Sequence, residues 1–423
     1  MHIGNRIKKL RESLGIKRKD FASGVISYSH LSNIEVGKNG ASEEILIAIA
    51  KKLNVPKEYL TRYKDIDHDL ETKLSSLKAN LDLKNLDEAE SILENIKKDY
   101  PYINSIDQEA LYYLLESYYY FRTNNHKDFA IIYEKELLPL LEIVEIDRIP
   151  SELFKETYYY LNAVNHFTNK QYEDSYQCFL KQLPLVKDPI IKAGTNYNIA
   201  LSLAKLNKTN LAIPYANNAL DVYLHENKWT NAAENYTLLG GLYIEERDFA
   251  SAEQNLQKAL DLAENFNNEK LKGKIYHNLG IVYKNLKKLN KSMDYFLKSL
   301  ELNKATNNEL FITYESIMEI YLEQNSLDDL TNILKEAKQY CNKEEDAYHF
   351  KIIEAKLLLK QNQLAEYELL MKEAIEYYYK NKMWKHLLPI SEELGNFYKE
   401  SKKYKPASQY YKIALDAVSD LYK

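Results

Sequence analysis

Cysteine is almost absent from these 423 residues: Cys178 and Cys341 stand far apart, with no Cys or His partner at metal-ligand spacing. That fits a reducing compartment rather than a disulfide framework, and both thiols are expected as small core hydrophobes. Glycine (11) and proline (9) are also scarce, which leaves few tight turns in a chain rich in Leu, Lys, Glu, Asn and Ala. An all-α chain follows. No run approaches the roughly 18 to 20 apolar residues that a bilayer crossing needs, so no membrane partner is expected. The start, MHIGNRIKKL, carries charge without an apolar run behind it, so no secretory signal is read and the cytoplasm is the expected compartment. There is no Gly-rich phosphate loop and no Gly-x-Ser-x-Gly elbow, and the nine histidines form no His-Glu-x-x-His or other metal-spaced cluster along the sequence. The chain is therefore not expected to be an enzyme, nor to hold a metal or cofactor.

What is present is a soluble composition, 45% hydrophobic and 28% charged, at a length that implies several domains or a stack of repeats. Charge is uneven. Residues 1–60 hold 11 Lys/Arg against 6 Asp/Glu, or +5, while the rest of the chain carries −10 of the total −5. Phosphate binding needs local positive potential, so only this basic head is expected to meet nucleic acid.

Within the head, Ile3, Ile7, Leu10 and Leu14 recur at helical spacing, with Arg6, Lys8, Lys9 and Arg11 on the other faces and Gly15 as a stop. A second helix is expected from about Lys17 to Ser23, with Phe21 and Ala22 inward, and Gly24 gives the turn. The third runs from Ser27 or Tyr28 to Val36 before Gly37. Ser42 as N-cap, Glu43 and Glu44, then Ile45, Ile49 and Leu53 mark a fourth helix, and Pro56 opens a fifth that ends near Tyr63.

These elements, Gly4-x-Arg6-Ile7, Leu10-Arg11, Gly15-Ile16, Phe21-Ala22 and Ser29-x-Leu31-Ser32-x-Ile34-Glu35-x-Gly37, resemble the helix-turn-helix domain of phage repressors and the xenobiotic-response-element family. One departure is Lys17-Arg18, where that family has Thr-Gln; it loses an N-cap and adds two cations. The resemblance implies that the third helix enters the major groove. Tyr28, Ser29, Ser32 and Asn33 would then reach base edges, and Arg11, Arg18 and Lys38 would hold phosphates. Leu31, Ile34 and Ala22 read as core, and Glu35 as the partner in a bond within the domain. Such domains read palindromic operators as dimers, so a homodimer or higher homo-oligomer is expected.

After a polar hinge at residues 64–69 (KDIDHD), the chain repeats itself every 37 to 40 residues. The clearest copies are Tyr236-x-x-Leu239-Gly240-x-x-Tyr243 with Ala252, Leu256 and Ala259, and Tyr276-x-x-Leu279-Gly280-x-x-Tyr283 with Ser292, Phe296 and Ser299. Further copies centre on Ala200 and Gly395, and weaker ones on Leu77, Ser117, Ala163, Met318 and Ala355. A small anchor and a small residue twelve positions later let paired helices approach closely. This pattern resembles tetratricopeptide repeats. The expected organisation is a five-helix head at 1–63, a linker at 64–69, and at 70–423 a right-handed superhelix of about nine helix pairs, whose first helices line a groove.

Thirty-seven tyrosines, with runs at Tyr118 to Tyr120, Tyr158 to Tyr160 and Tyr377 to Tyr379, read first as interhelical packing. Tyr160 and Tyr197, on first helices, are candidates for the groove. Asn198 and Asn278 share one repeat position, two before the anchor, with Asn162 and Asn235 near it in their units and His277 adjacent. A carboxamide both donates and accepts, as the backbone of an extended peptide requires. Head and repeats in this order resemble the peptide-pheromone (RNPP-type) regulators of Gram-positive bacteria, in their longer NprR-like branch. The resemblance implies a quorum sensor whose DNA binding is controlled by a short signalling peptide. Some members with this repeat body also bind response-regulator proteins of the sporulation pathway, which leaves a protein-sequestering adaptor as the alternative.

Overall fold

The structure, a computed structural model, describes residues 1–142, 144–306, 310–340 and 344–421; Cys341 lies outside them. Regular structure among the described residues is helical, in two compact units, Met1–Val222 and Tyr223–Lys423.

The first unit opens with α1 (Ile3–Ser13), α2 (Arg18–Ala22), α3 (Tyr28–Glu35), α4 (Glu43–Leu53) and α5 (Lys57–Thr61). Ile3, Ile7, Phe21, Leu31, Ile34, Leu46, Ile49 and Leu60 close around one core. The boundaries have local causes. Ser27 caps α3 by accepting from His30 N, Ser42 caps α4 by accepting from Ile45 N, and Gly15, Gly24 and Gly37 take positive φ at the turns. Leu14 departs from the expected apolar stripe: α1 stops at Ser13 and the side chain is 56% exposed. Gly4 has a steric reason, because a Cβ there would lie 1.9 Å from the Ile34 carbonyl oxygen. The α1 and α3 backbones touch at that point.

The repeats follow as first and second helices. In the first unit these are α6 (His68–Leu83) with α7 (Leu86–Asp99), then α8 (Ile106–Arg122) with a broken partner made of α9 (His126–Ala130), a π-helical stretch at Ile131–Leu137 and α10 (Leu138–Leu141). Next come α11 (Glu152–Thr168) with α12 (Tyr172–Gln182), and α13 (Pro189–Lys205) with α14 (Thr209–His225). The second unit continues with α15 (Trp229–Glu245) and α16 (Phe249–Asn265), α17 (Glu269–Asn285) and α18 (Leu289–Thr306), α19 (Leu310–Gln324) and α20 (Leu327–Ala337). It ends with α21 (Glu344–Lys360) and α22 (Leu364–Lys380), then α23 (Trp384–Glu400) and α24 (Tyr404–Leu421). The anchors read from the sequence, Leu77, Ser117, Ala163, Ala200, Gly240, Gly280, Met318, Ala355 and Gly395, each fall on a first helix and are buried. The expected linker is shorter than 64–69, because Asp67 caps α6 by accepting from Leu70 N and the helix is under way at His68.

Scarce glycine has a consequence at the joints. Asn207, Asn227, Arg247, Asn267 and Lys287 adopt left-handed φ of 56°, 54°, 60°, 50° and 59°, at a constant interval along the chain. Each is followed by a backbone N–H that reaches back into the helix, as in Lys228 N to Tyr223 O at 2.8 Å and Lys288 N to Tyr283 O at 2.9 Å. This closure satisfies the last carbonyls of a helix, and it is ordinarily a glycine's task; here asparagine and long cationic residues perform it.

The small-and-large pairing is equally literal in the hairpins anchored by Gly240, Gly280 and Gly395, which face Leu256, Phe296 and Tyr411. A Cβ on Gly280 would lie 2.5 Å from the Phe296 ring, which is fully buried and cannot swing away. Gly280→Ala is therefore expected to destabilise the second unit by about 1–3 kcal/mol. The urea midpoint, followed by fluorescence of Trp229 and Trp384 in that unit, reads the effect. An unchanged midpoint would show that the hairpin is looser than described.

Candidate functional site

The head presents the N-terminal face of α3. Tyr28 is 52% exposed, Ser29 and Lys38 are exposed, and Ser32 and Asn33 are half-buried at the surface. Lys17, one of the two cations at the departure from the family pattern, and Lys19, which the sequence did not single out, are exposed beside them. The first turn of α3 thus carries hydroxyls and a carboxamide, flanked by ammonium groups, a composition suited to base edges between phosphates.

Arg11 is a correction. It is 5% exposed, and its guanidinium holds Glu35 through Nε at 2.6 Å and Nη2 at 3.1 Å, with a further bond to the Ile16 carbonyl at 2.8 Å. Glu35 is fully buried and also accepts from Arg18 Nε at 2.7 Å. Arg11 therefore anchors the inner side of α3, and a phosphate could not reach it without breaking this bidentate pair. Arg18 is partly committed in the same way, although its side chain is 29% exposed. The sequence reading gave Glu35 an intradomain bond and placed its partner at the DNA.

A second feature went unread. Arg6, assigned to an outer face, is fully buried, and α1 docks on the repeats through it. Its Nε donates to Glu109 at 2.9 Å, Nη1 to the Tyr59 and Asn104 carbonyls at 2.5 and 2.6 Å, and Nη2 to the Ile103 carbonyl at 3.1 Å. The guanidinium also lies over the Tyr59 ring, 4.2 Å from its centroid, and the Tyr59 hydroxyl donates to the other Glu109 oxygen. Around this core, Asn5 Nδ2 donates to the Leu140 carbonyl at 2.9 Å, Lys8 pairs with Glu142 at 2.5 Å and Lys9 with Glu136 at 2.6 Å. The head and the first repeats consequently form one compact unit. No local signal announces this, since Arg6 and Glu109 are separated by 103 positions.

In the repeats of the first unit, Tyr160 packs edge-on against Tyr118 at 5.2 Å and Phe179 at 6.4 Å, and so fills space between helices. Asn162 donates to the Tyr158 carbonyl at 2.8 Å and accepts from the Tyr133 hydroxyl at 2.7 Å. It lines a recess of about 630 Å³ with Tyr158, His166, Gln177, Cys178 and Lys181. Tyr197 and Asn198 on α13 are half-buried. Cys178, expected in the core, is only half-buried.

In the second unit Asn278 on α17 is half-buried like its counterpart, whereas two neighbours are placed differently from expectation. His277 turns inward, 7% exposed, with Nδ1 at 3.1 Å from Thr313 Oγ1; burial pushes its pKa down to about 4, so it is neutral at pH 7. Asn235 is fully buried on α15, and both atoms of its carboxamide lack a hydrogen-bond partner. An orphaned amide costs about 1–3 kcal/mol unless a water or another partner pairs with it.

A helix-turn-helix family model matches residues 7–60, and tetratricopeptide-repeat models match 192–265 and 273–306. The chain is 25% identical to the transcriptional activator NprA of Geobacillus stearothermophilus over 415 residues, 95% of this chain and 99% of that protein. It is 21% identical to response regulator aspartate phosphatase I of Bacillus subtilis (strain 168), over 83% of this chain and 91% of the relative. The quorum sensor NprR shares the fold. Its apo form from B. thuringiensis superposes with a TM-score of 0.70 at 19% identity, and its complex with the cognate peptide NprX with 0.58 at 21%, each over 84% of this chain and 100% and 99% of NprR.

Proposed function

We propose that this chain, an RNPP-type regulator with a helix-turn-helix head and a tetratricopeptide-repeat body, binds a palindromic operator as a dimer in the cytoplasm under the control of a short signalling peptide held by the repeats. The observation that carries the DNA part is the exposed polar first turn of α3, with Tyr28, Ser29, Ser32 and Asn33 flanked by Lys17, Lys19 and Lys38. The peptide part is supported by the likeness to NprR bound to its cognate peptide NprX and by the orphaned Asn235 carboxamide, which matches a peptide backbone amide. Because Asn235 is buried, a ligand reaches it only if the surrounding side chains move. Asn278 is a further candidate in the same unit, and Asn162, Tyr197 and Asn198 are candidates within the first unit. Among the described residues no helix is long and apolar enough to cross a membrane.

Control requires that the peptide bind one arrangement of the heads better than another, since equal affinity shifts nothing. The docking of α1 on α8 and α10 gives a route within the first unit, because a ligand that displaces those helices carries α3 with them. The proposal assigns the chain no reaction of its own. The relative named as a phosphatase favours one second reading, in which the body sequesters a protein such as a sporulation response regulator.

Titration of short peptides encoded beside the gene, read as melting temperature and oligomer mass, tests the first reading; a rise in melting temperature with a change of mass is expected. Silence across all of those peptides, with a response regulator co-purifying, would move the assignment to the adaptor. At the head, Asn33→Ala is expected to weaken a specific operator by about 1–3 kcal/mol, roughly 5- to 150-fold, while barely changing affinity for random DNA. Equal loss on both would remove Asn33 from base reading.

A further inference from the structure

We propose that Glu345, His349 and His386, in the last repeats of the second unit, form a binding site for a divalent transition-metal ion, with zinc(II) the best match. The sequence shows no metal motif here, because the ligands come from different repeats. Glu345 and His349 sit one turn apart on α21 and share a face, and His386 comes from the start of α23, the next first helix. One ligand atom from each lies within 4.8 Å of the others.

The geometry is that of ligands gathered without being bonded to one another. Glu345 Oε1 is 3.8 Å from His386 Nε2, and Glu315 on α19 brings Oε1 to 3.6 Å from His349 Nδ1. Both separations are too long for hydrogen bonds. They are close to the roughly 3.3–3.4 Å between neighbouring ligand atoms in a tetrahedral site with bonds of about 2.0–2.1 Å. The two imidazoles stand perpendicular, with ring centroids 4.7 Å apart, and Phe311 packs edge-on against His349 at 5.3 Å.

A second observation is independent of those distances. Tyr378 on α22 is fully buried, with its ring 5.7 Å from His349 and 5.5 Å from His386, and its hydroxyl has no hydrogen-bond partner. A buried donor left idle beside two carboxylates is placed as the outer-shell hydrogen bond that orients a metal-ligating oxygen.

The donor set selects the ion. Two imidazoles disfavour calcium and magnesium, the set holds no thiolate among the described residues, and one or two carboxylates offset a double positive charge. Glu315 would supply the fourth ligand, or water would. An ion here would tie α21 to α23, and through Glu315 to α19, so that the last three first helices keep a fixed spacing.

The experiment uses the untagged 423-residue chain, freed of metal with a chelator. Zn²⁺ is titrated in competition with a chromophoric chelator, and Co²⁺ is added in parallel for its visible d–d absorption. One ion per chain and a tetrahedral cobalt band are expected. His349→Ala and His386→Ala should each weaken Zn²⁺ binding by about 100-fold or more and abolish the band, and Tyr378→Phe should weaken it by about 10-fold. His225→Ala, at an 84% exposed position apart from the cluster, should change nothing. If His349→Ala fails to fold, Glu345→Gln decides instead, because that side chain is 44% exposed and its loss leaves packing intact. No binding by the parent chain, or equal binding by parent and cluster variants, overturns the proposal.

Discussion

Arg6→Ala is expected to cost on the order of 3–5 kcal/mol of stability, the largest effect of any single substitution in the head. The change removes a cation that is wholly buried and leaves Glu109, 3% exposed, with only the Tyr59 hydroxyl for company. It also strips the Tyr59, Asn104 and Ile103 carbonyls of the donor that satisfies them. Breaking one side of a buried pair is costly for this reason, even where the intact pair contributes little net stability. Glu109→Gln, which keeps an acceptor, should cost less. Both tryptophans lie in the second unit, so circular dichroism or hydrogen exchange of α1 and α8 is the appropriate probe. Exchange protection should fall together in these two helices. A loss below about 1 kcal/mol would mean that α1 does not dock on the repeats in solution.

Glu35→Ala should be nearly as damaging, again by about 3–5 kcal/mol, because it leaves the buried Arg11 guanidinium with little beyond the Ile16 carbonyl and the exposed Glu12. Here the functional readout separates two views of Arg11. If it anchors α3, Glu35→Ala and Arg11→Ala lower stability alike, and Arg11→Lys fails to rescue because an ammonium cannot make the forked pair. If Arg11 holds a phosphate, Arg11→Ala leaves stability intact and reduces the salt dependence of DNA binding by about one unit. The structure favours the first outcome, and equilibrium unfolding beside a salt titration of operator binding distinguishes them.

These two residues also show where reading a sequence runs out. The helices of the head follow from local causes, namely Ser27 and Ser42 as caps and Gly15, Gly24 and Gly37 as stops, so their bounds are legible to within a residue or two. The clearest repeat anchors are legible for the same reason: a small residue opposite a large one, as in Gly240 with Leu256, Gly280 with Phe296 and Gly395 with Tyr411, is satisfied within the hairpin. Arg6, Asn235 and the Glu345–His349–His386 cluster are different. Each depends on a partner, or the lack of one, that is fixed by packing between distant segments, and a helical arginine looks the same whether water or a glutamate lies above it. The histidine cluster left one faint trace, a Glu and a His at i, i+4 followed by a second His about one repeat further on. Exposed Tyr28 and Ser29 were readable because the family pattern accounts for every apolar position of α3 and leaves those two facing out.

The even beat of left-handed joints from Asn207 to Lys287 has a bearing on how such a body changes over generations. With helix and joint together of one length across this stretch, excising or duplicating a hairpin within it restores the same helical phase at the splice, and each newcomer meets neighbours shaped like those it left. Stability in a stack of this kind is close to a sum over units and their nearest contacts. Lineages can therefore lengthen or shorten the signal-reading part by whole hairpins while the head and its Arg6 joint, which obey no such beat, stay as they are. Diversity in what is sensed would then accumulate at the repeats faster than diversity in how the head is held.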